Sequence, residues 1–165
     1  MYTRSIYIEA VILCTSFSGC AGTSNSGAKK QIFNKTLGLC GRDDFLETIN
    51  TVVFLKNHYL DSGDTRDLGS RIEITTEWRP RFVFPDEQAL GIIAAESKLV
   101  ILAKFRHGQA RSLRGEPAYY ASFRAENRVK YQERGPWQNG PITNDAKAHF
   151  NDIVDDMMQE LKSPY

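Results

Sequence analysis

The residues best suited to acid–base or metal chemistry are the three histidines, His58, His107 and His149, which fall on three separate predicted elements. His149 and Asp152 share a helical face, but a zinc hydrolase needs two histidines one turn apart with a glutamate between them. The second histidine is absent. No serine stands in a Gly-x-Ser-x-Gly turn that would expose a nucleophile, and no glycine-rich loop opens a helix to cradle phosphate. Asp61, Gly63, Asp64 and Asp67 sit close together, yet they lack the alternating oxygen ligands and closing bidentate glutamate of a calcium loop. The sequence therefore assigns no catalytic, cofactor or metal residue. The chain reads as non-enzymatic, with a hydrolase whose scattered groups converge only in the fold as an alternative.

Two features can mark a binding surface instead. Between Lys98 and Arg134 the basic residues Lys104, Arg106, Arg111, Arg114, Arg124, Arg128 and Lys130 outweigh the acids Glu116, Glu126 and Glu133. If the runs 99–105 and 119–131 pair antiparallel, Lys104, Arg106, Arg124, Arg128 and Lys130 gather on one outward face, with Arg111 and Arg114 at its tip. Such a face suits anionic lipid headgroups or an acidic protein. The alternative is a solvated face partly neutralised by an acidic terminal helix. The second feature is Trp137, set in the turn-rich Gly-Pro-Trp-Gln-Asn-Gly-Pro loop. It either anchors an interface or folds back as a lid on the local core.

The elements that must position these groups follow from hydrophobic period. A short helix is expected over 42–50, with Asp43, Asp44 and Glu47 near its positive end. Residues 51–55 and 59–60 read as a strand from their β-branched and aromatic density, with a continued helix as the alternative. Over 71–79, Ile72, Ile74, Thr76 and Trp78 alternate with polar residues, as in a half-buried strand, and Pro80 interrupts the ladder. Pro85, Asp86 and Glu87 open a helix expected to run to about 95. The apolar run 99–105 and the alternating run 119–131 form a hairpin across a long exposed loop. At the end, Thr143 or Asn144 caps a helix whose Phe150, Ile153, Val154, Met157 and Leu161 make one apolar stripe, with acids on the opposite side. The fold class is α+β: an antiparallel sheet of about four or five strands with the C-terminal amphipathic helix packed on one face.

The N-terminal segment sets the address. Residues 6–17 are mostly apolar, follow Arg4, and end at Phe17-Ser18-Gly19-Cys20, ahead of a small polar stretch with two glycines and Lys29-Lys30. This resembles a bacterial lipoprotein signal peptide, in which a small residue precedes a cysteine whose thiol is lipidated before cleavage. An ordinary secreted chain is the alternative. The resemblance implies a signal peptide over 1–19, lipid attachment at Cys20 and a flexible tether over 20–31, followed by one domain over 32–165. Because Ala21, not aspartate, follows Cys20, it also implies the periplasmic face of the outer membrane. Cys40 is then left as a buried small hydrophobe, or bridged to Cys20 if that thiol carries no lipid.

A chain of 165 residues, 41% hydrophobic and 25% charged, can bury one ordinary core, and its net charge of +1 argues against bulk nucleic-acid binding. The expected function is a non-catalytic, membrane-anchored envelope protein that supports a partner complex. The alternative is a carrier holding a lipid or small ligand in a cavity beneath the terminal helix. No cofactor is expected.

Overall fold

The long hairpin is the centre of the molecule. The computed structural model describes residues 31–108, 111–112 and 115–162. The signal peptide, Cys20, most of the tether and Arg114 lie outside them. In chain order the strands are β1 (Ile32–Cys40), β2 (Arg66–Asp67), β3 (Arg71–Thr75), β4 (Arg79–Arg81), β5 (Ala94–Phe105), β6 (Tyr119–Lys130) and β7 (Gln138–Asn139). The helices are α1 (Arg42–Thr48), α2 (Pro85–Gln88) and α3 (Asn144–Glu160). All strands join one antiparallel sheet of order β1-β6-β5-β3-β2, with β4 beside β5 and β7 beside β6. The sheet thus has seven strands, more than the four or five expected. β5 and β6 pair along their whole length, from Ala94 opposite Lys130 to Phe105 opposite Tyr119.

One face of this sheet holds the core. Leu99, Ile101 and Ala103 of β5 and Ala121, Phe123 and Ala125 of β6 are buried beneath Phe150, Ile153, Val154 and Met157 of α3, the expected stripe. α3 starts where Thr143 accepts the Ala146 N–H at 3.3 Å. Asp86 reinforces that start from another element, since its carboxylate accepts the Asp145 N–H at 3.0 Å. Burial pushes the Asp86 carboxyl up, but hydrogen bonds from Asp145, Thr143, Glu87 and Asn144 outweigh it and hold the group below the usual carboxylate range.

Several expectations are corrected. Residues 51–55 are not a strand: α1 runs on as a wider π-helical stretch (Ile49–Lys56), closed by the Asn57 N–H to the Val52 carbonyl. Ile49, Val52 and Val53 enter the core from one side of that helix, so packing overrides their β-propensity. α2 stops at Gln88, because Gly91 turns the chain at φ 78° and Ala94 and Ala95 already belong to β5. β1 pairs antiparallel with β6 at the sheet edge. Its register slips between Thr36 and Gly38, and Gly38 takes φ 108°, a conformation side-chain-bearing residues avoid.

A second slip decides which groups face outward. Thr76 still lies opposite Leu99, donating its N–H to the Leu99 carbonyl at 2.9 Å and accepting the Leu99 N–H on its hydroxyl at 3.0 Å. Arg79, however, lies opposite Ser97, so Glu77 and Trp78 together oppose Lys98. One extra residue reverses the side chains beyond it. Trp78 is therefore on the outer face, not with Ile72, Ile74 and Thr76, while Arg79 and Arg81 point toward the helical layer.

Candidate functional site

The face of the sheet away from the helices carries the polar half of every alternation. β3 supplies Arg71, Glu73 and Thr75; β5 supplies Glu96, Lys98, Val100, Leu102 and Lys104; β6 supplies Tyr120, Ser122, Arg124, Glu126, Arg128 and Lys130. Lys104, Arg124, Arg128 and Lys130 thus gather on one face as expected. Arg106 continues from β5 and is exposed, and Arg111 bridges to Pro117 in the connecting loop.

The charges on this face are met by acids of the strands themselves. Arg71 pairs with Glu73, Arg124 with Glu126 and Arg128 with Glu96, each at 2.5 Å. The acids of α3 lie on the other side of the sheet, so the terminal helix does not neutralise these cations. Lys98, Lys104 and Lys130 lie within ion-pairing distance of no carboxylate among the described residues, and the face keeps an excess of positive charge.

Trp137 folds back, but onto this outer face. The Arg128 guanidinium sits between two indoles, 4.4 Å from the Trp78 ring centroid and 5.0 Å from that of Trp137. Lys98 lies 5.3 Å over Trp78 and Lys130 4.9 Å over Trp137. The ring quadrupoles attract all three cations, and Glu96 fixes the central one from its edge. Further along the same face, between β1 and β3, the surface dips into a depression of about 670 Å³, with Val100, Leu102 and Ser122 in its floor and Lys35, Arg71, Glu73 and Arg124 around it. An apolar floor with a charged rim is the usual anatomy of a protein–protein contact.

The opposite side holds a buried polar cluster that sequence reasoning missed. Glu87, fully buried, receives both terminal nitrogens of Arg81, at 2.8 and 2.5 Å, along with the Phe84 N–H at 3.1 Å and the Asn127 amide at 3.3 Å. Arg81 also reaches the Asn127 carbonyl oxygen at 2.8 Å and lies 4.7 Å over the Phe84 ring. Next to it, the Tyr59 hydroxyl shares a 2.6 Å hydrogen bond with the Ser97 hydroxyl, and Arg79 lies 5.2 Å over the Tyr59 ring. Burial pushes the Tyr59 hydroxyl up, against the bond from Ser97 and the charges of Arg79 and Arg81. The His149 ring packs, tilted by 49° to each, against Phe84 and Phe150. Burial and the nearby Arg81 and Arg79 hold it below the usual histidine range, against the pull of Asp152. The signal available was Pro80 between two arginines, which marks a disturbed ladder, followed by a glutamate in the first turn of α2.

The remaining candidates disperse. His107 packs edge-on to Phe105, and His58 takes φ 53° just after the π-helical stretch. Asp61 closes its own turn, accepting the Gly63 N–H and the Thr65 hydroxyl, while Asp67 pairs with Arg42. Cys40 is a buried free thiol that points at the Tyr119 carbonyl, 3.7 Å away. Burial, aided by Asp44, pushes it up to about 12. No family model, no curated protein and no solved structure matches the chain.

Proposed function

We propose that this protein is a non-catalytic lipoprotein of the bacterial outer membrane, anchored on its periplasmic side through Cys20, whose open sheet face docks an acidic envelope protein. The observation that carries the docking is the depression over Val100 and Leu102, on the same sheet face as Lys98, Lys104 and Lys130, which meet no carboxylate among the described residues, and as the Trp78–Arg128–Trp137 stack. Tryptophan and arginine dominate binding energy at interfaces, and a positive rim selects an acidic partner and speeds its approach. The anchor rests on the Ser18-Gly19-Cys20 boundary and the polar stretch after it. A carrier with its cavity beneath α3 is less well supported, because Phe150, Ile153 and Met157 fill that space against Phe33 and Phe123.

A photo-crosslinking residue at Leu102 is expected to trap one envelope protein in growing cells, and Lys98→Glu with Lys130→Glu to abolish the adduct. The same probe at Asp155, on the outer side of α3, serves as the control. Adducts from Asp155 but not from Leu102 would refute the docking face. Adducts to lipid alone from Leu102 would replace the acidic protein by anionic headgroups. The anchor is tested separately by mass: the mature chain begins at Cys20 with added acyl mass, and Cys20→Ala leaves an uncleaved or soluble product.

A further inference from the structure

We propose that the cleft between β4 and α3 binds a small monocarboxylate with an apolar, aromatic-sized body. The cleft is about 510 Å³, within the usual range of about 300–1,000 Å³ for small-molecule sites. It lies on the helical side of the sheet, and its occupancy is independent of any docking on the outer face.

Its walls are Phe82, Phe84 and Pro80, with Arg79, Lys56 and His149 as the polar groups that choose the ligand. Phe82 is 89% exposed at its edge, an apolar side chain that nothing in the described residues covers. A flat apolar ligand body would cover Phe82 and rest against Phe84, which already faces the Arg81 guanidinium on one side.

The charges in the cleft are nearly all committed. Lys56 pairs with Asp156 at 2.8 Å, and Arg81 is held by Glu87 and Asn127. Arg79 alone keeps a charge that no carboxylate of the described residues meets: it rests over the Tyr59 ring and hydrogen-bonds the Tyr59 side chain. One guanidinium without a carboxylate partner among the described residues matches one carboxylate, which a guanidinium can hold through two parallel hydrogen bonds. A phosphate dianion would need a second free cation, and the committed state of Lys56 and Arg81 denies it one. His149 lines the cleft as well, and its Nε2 is buried with no hydrogen-bond partner among the described residues. A buried polar atom left without a partner is costly unless something supplies one, and a ligand oxygen or its water would do so.

The test uses the purified full-length chain with phenylpropionate as probe and phenylpropanol as its uncharged twin, measured by equilibrium dialysis. Phenylpropionate is expected to bind saturably with one site per chain, and phenylpropanol about tenfold or more weakly, a difference of about 1.4 kcal/mol. Arg79→Gln is expected to bring phenylpropionate down to the level of the alcohol, and Phe82→Ala to weaken both ligands together. Unchanged melting temperatures separate lost binding from lost folding, because Arg79 and Phe82 are both partly solvent-facing. If Arg79→Gln does not fold, Phe82→Ala and the acid-to-alcohol ratio still decide the question. Equal binding of acid and alcohol, no effect of Arg79→Gln in a folded variant, or no saturable binding would each overturn the proposal.

Discussion

Removing Arg81 tests whether the buried cluster is one interacting unit. In Arg81→Met the carboxylate of Glu87, fully buried, keeps only the Phe84 N–H at 3.1 Å and the Asn127 amide at 3.3 Å. A buried charge stripped of its partner costs about 3–5 kcal/mol, and Glu87→Met, which strands the guanidinium, is expected to cost the same. The double variant removes both charges and leaves the Phe84 N–H and the Asn127 amide short of an acceptor, at about 1–3 kcal/mol each. It is therefore expected to cost about 2–6 kcal/mol, less than the sum of the singles at about 6–10 kcal/mol. Urea unfolding at constant m-value reads all three, and each kcal/mol moves the melting temperature by about 3–5 °C for a domain of this size. Single variants costing under about 1 kcal/mol, as exposed pairs do, would refute the reasoning. So would a double variant equal to the sum of the two.

Ile153→Asp is expected to cost several kcal/mol by burying an unpaired charge in the core, whereas Asp155→Ala on the exposed side stays within about 0.5 kcal/mol; equal thermal melts would mean the wrong face is inward. Gly140→Ala places a methyl 2.6 Å from Val129 Cγ1 and 3.0 Å from Asn127 Nδ2, so a loss of about 1–3 kcal/mol is expected, and a neutral result would show that β7 can shift away. His149 is held below its ordinary value of 6.5 by burial and by Arg81 and Arg79. Its contribution to stability is whole above that value and is lost as pH falls through the lower folded one. The melting temperature of His149→Phe is accordingly expected to fall less than that of the wild type as pH drops from 6.5, and parallel curves would count against it. Cys40, pushed up to about 12 by burial, is expected to resist alkylation at pH 8 in the folded protein and to react in guanidinium, as read by mass from its own peptide.

Much of the architecture was legible because its signals were local. The stripe of α3 and the alternation of β6 each survive as simple periods, and both are found where expected. β1 carries no such period: Asn34, Lys35 and Thr36 are three exposed residues in a row, and the slip at Gly38 shifts the pattern again. The π-helical stretch reads first as a strand because Thr51, Val52 and Val53 have strand propensity, and only the core that receives Ile49, Val52 and Val53 decides for the continued helix. At the candidate surfaces, composition located the cations of the hairpin but not what they meet. Trp78 reached Arg128 through one extra residue opposite Lys98, and Arg81 found Glu87 through the same reversal. A slip of that kind is a property of two strands together and has no signature in either one.

The place of β1 at the sheet edge has a consequence for the order of assembly. Thr36 meets Tyr120, its hydrogen-bonded neighbour on β6, across a separation of 84 residues. Closing a loop of that length costs roughly 4 kcal/mol of chain entropy, and pairs so distant in sequence form late. β5 and β6 meet across a much shorter connection and can form a template before β1 arrives. A chain made N-terminus first therefore carries β1 as an unpaired strand until β6 has followed it. The earliest of the described strands thus waits for one near the end of the chain, and Gln31, which receives the Ile142 N–H at 2.9 Å, is fastened only when the 139–142 segment has arrived as well.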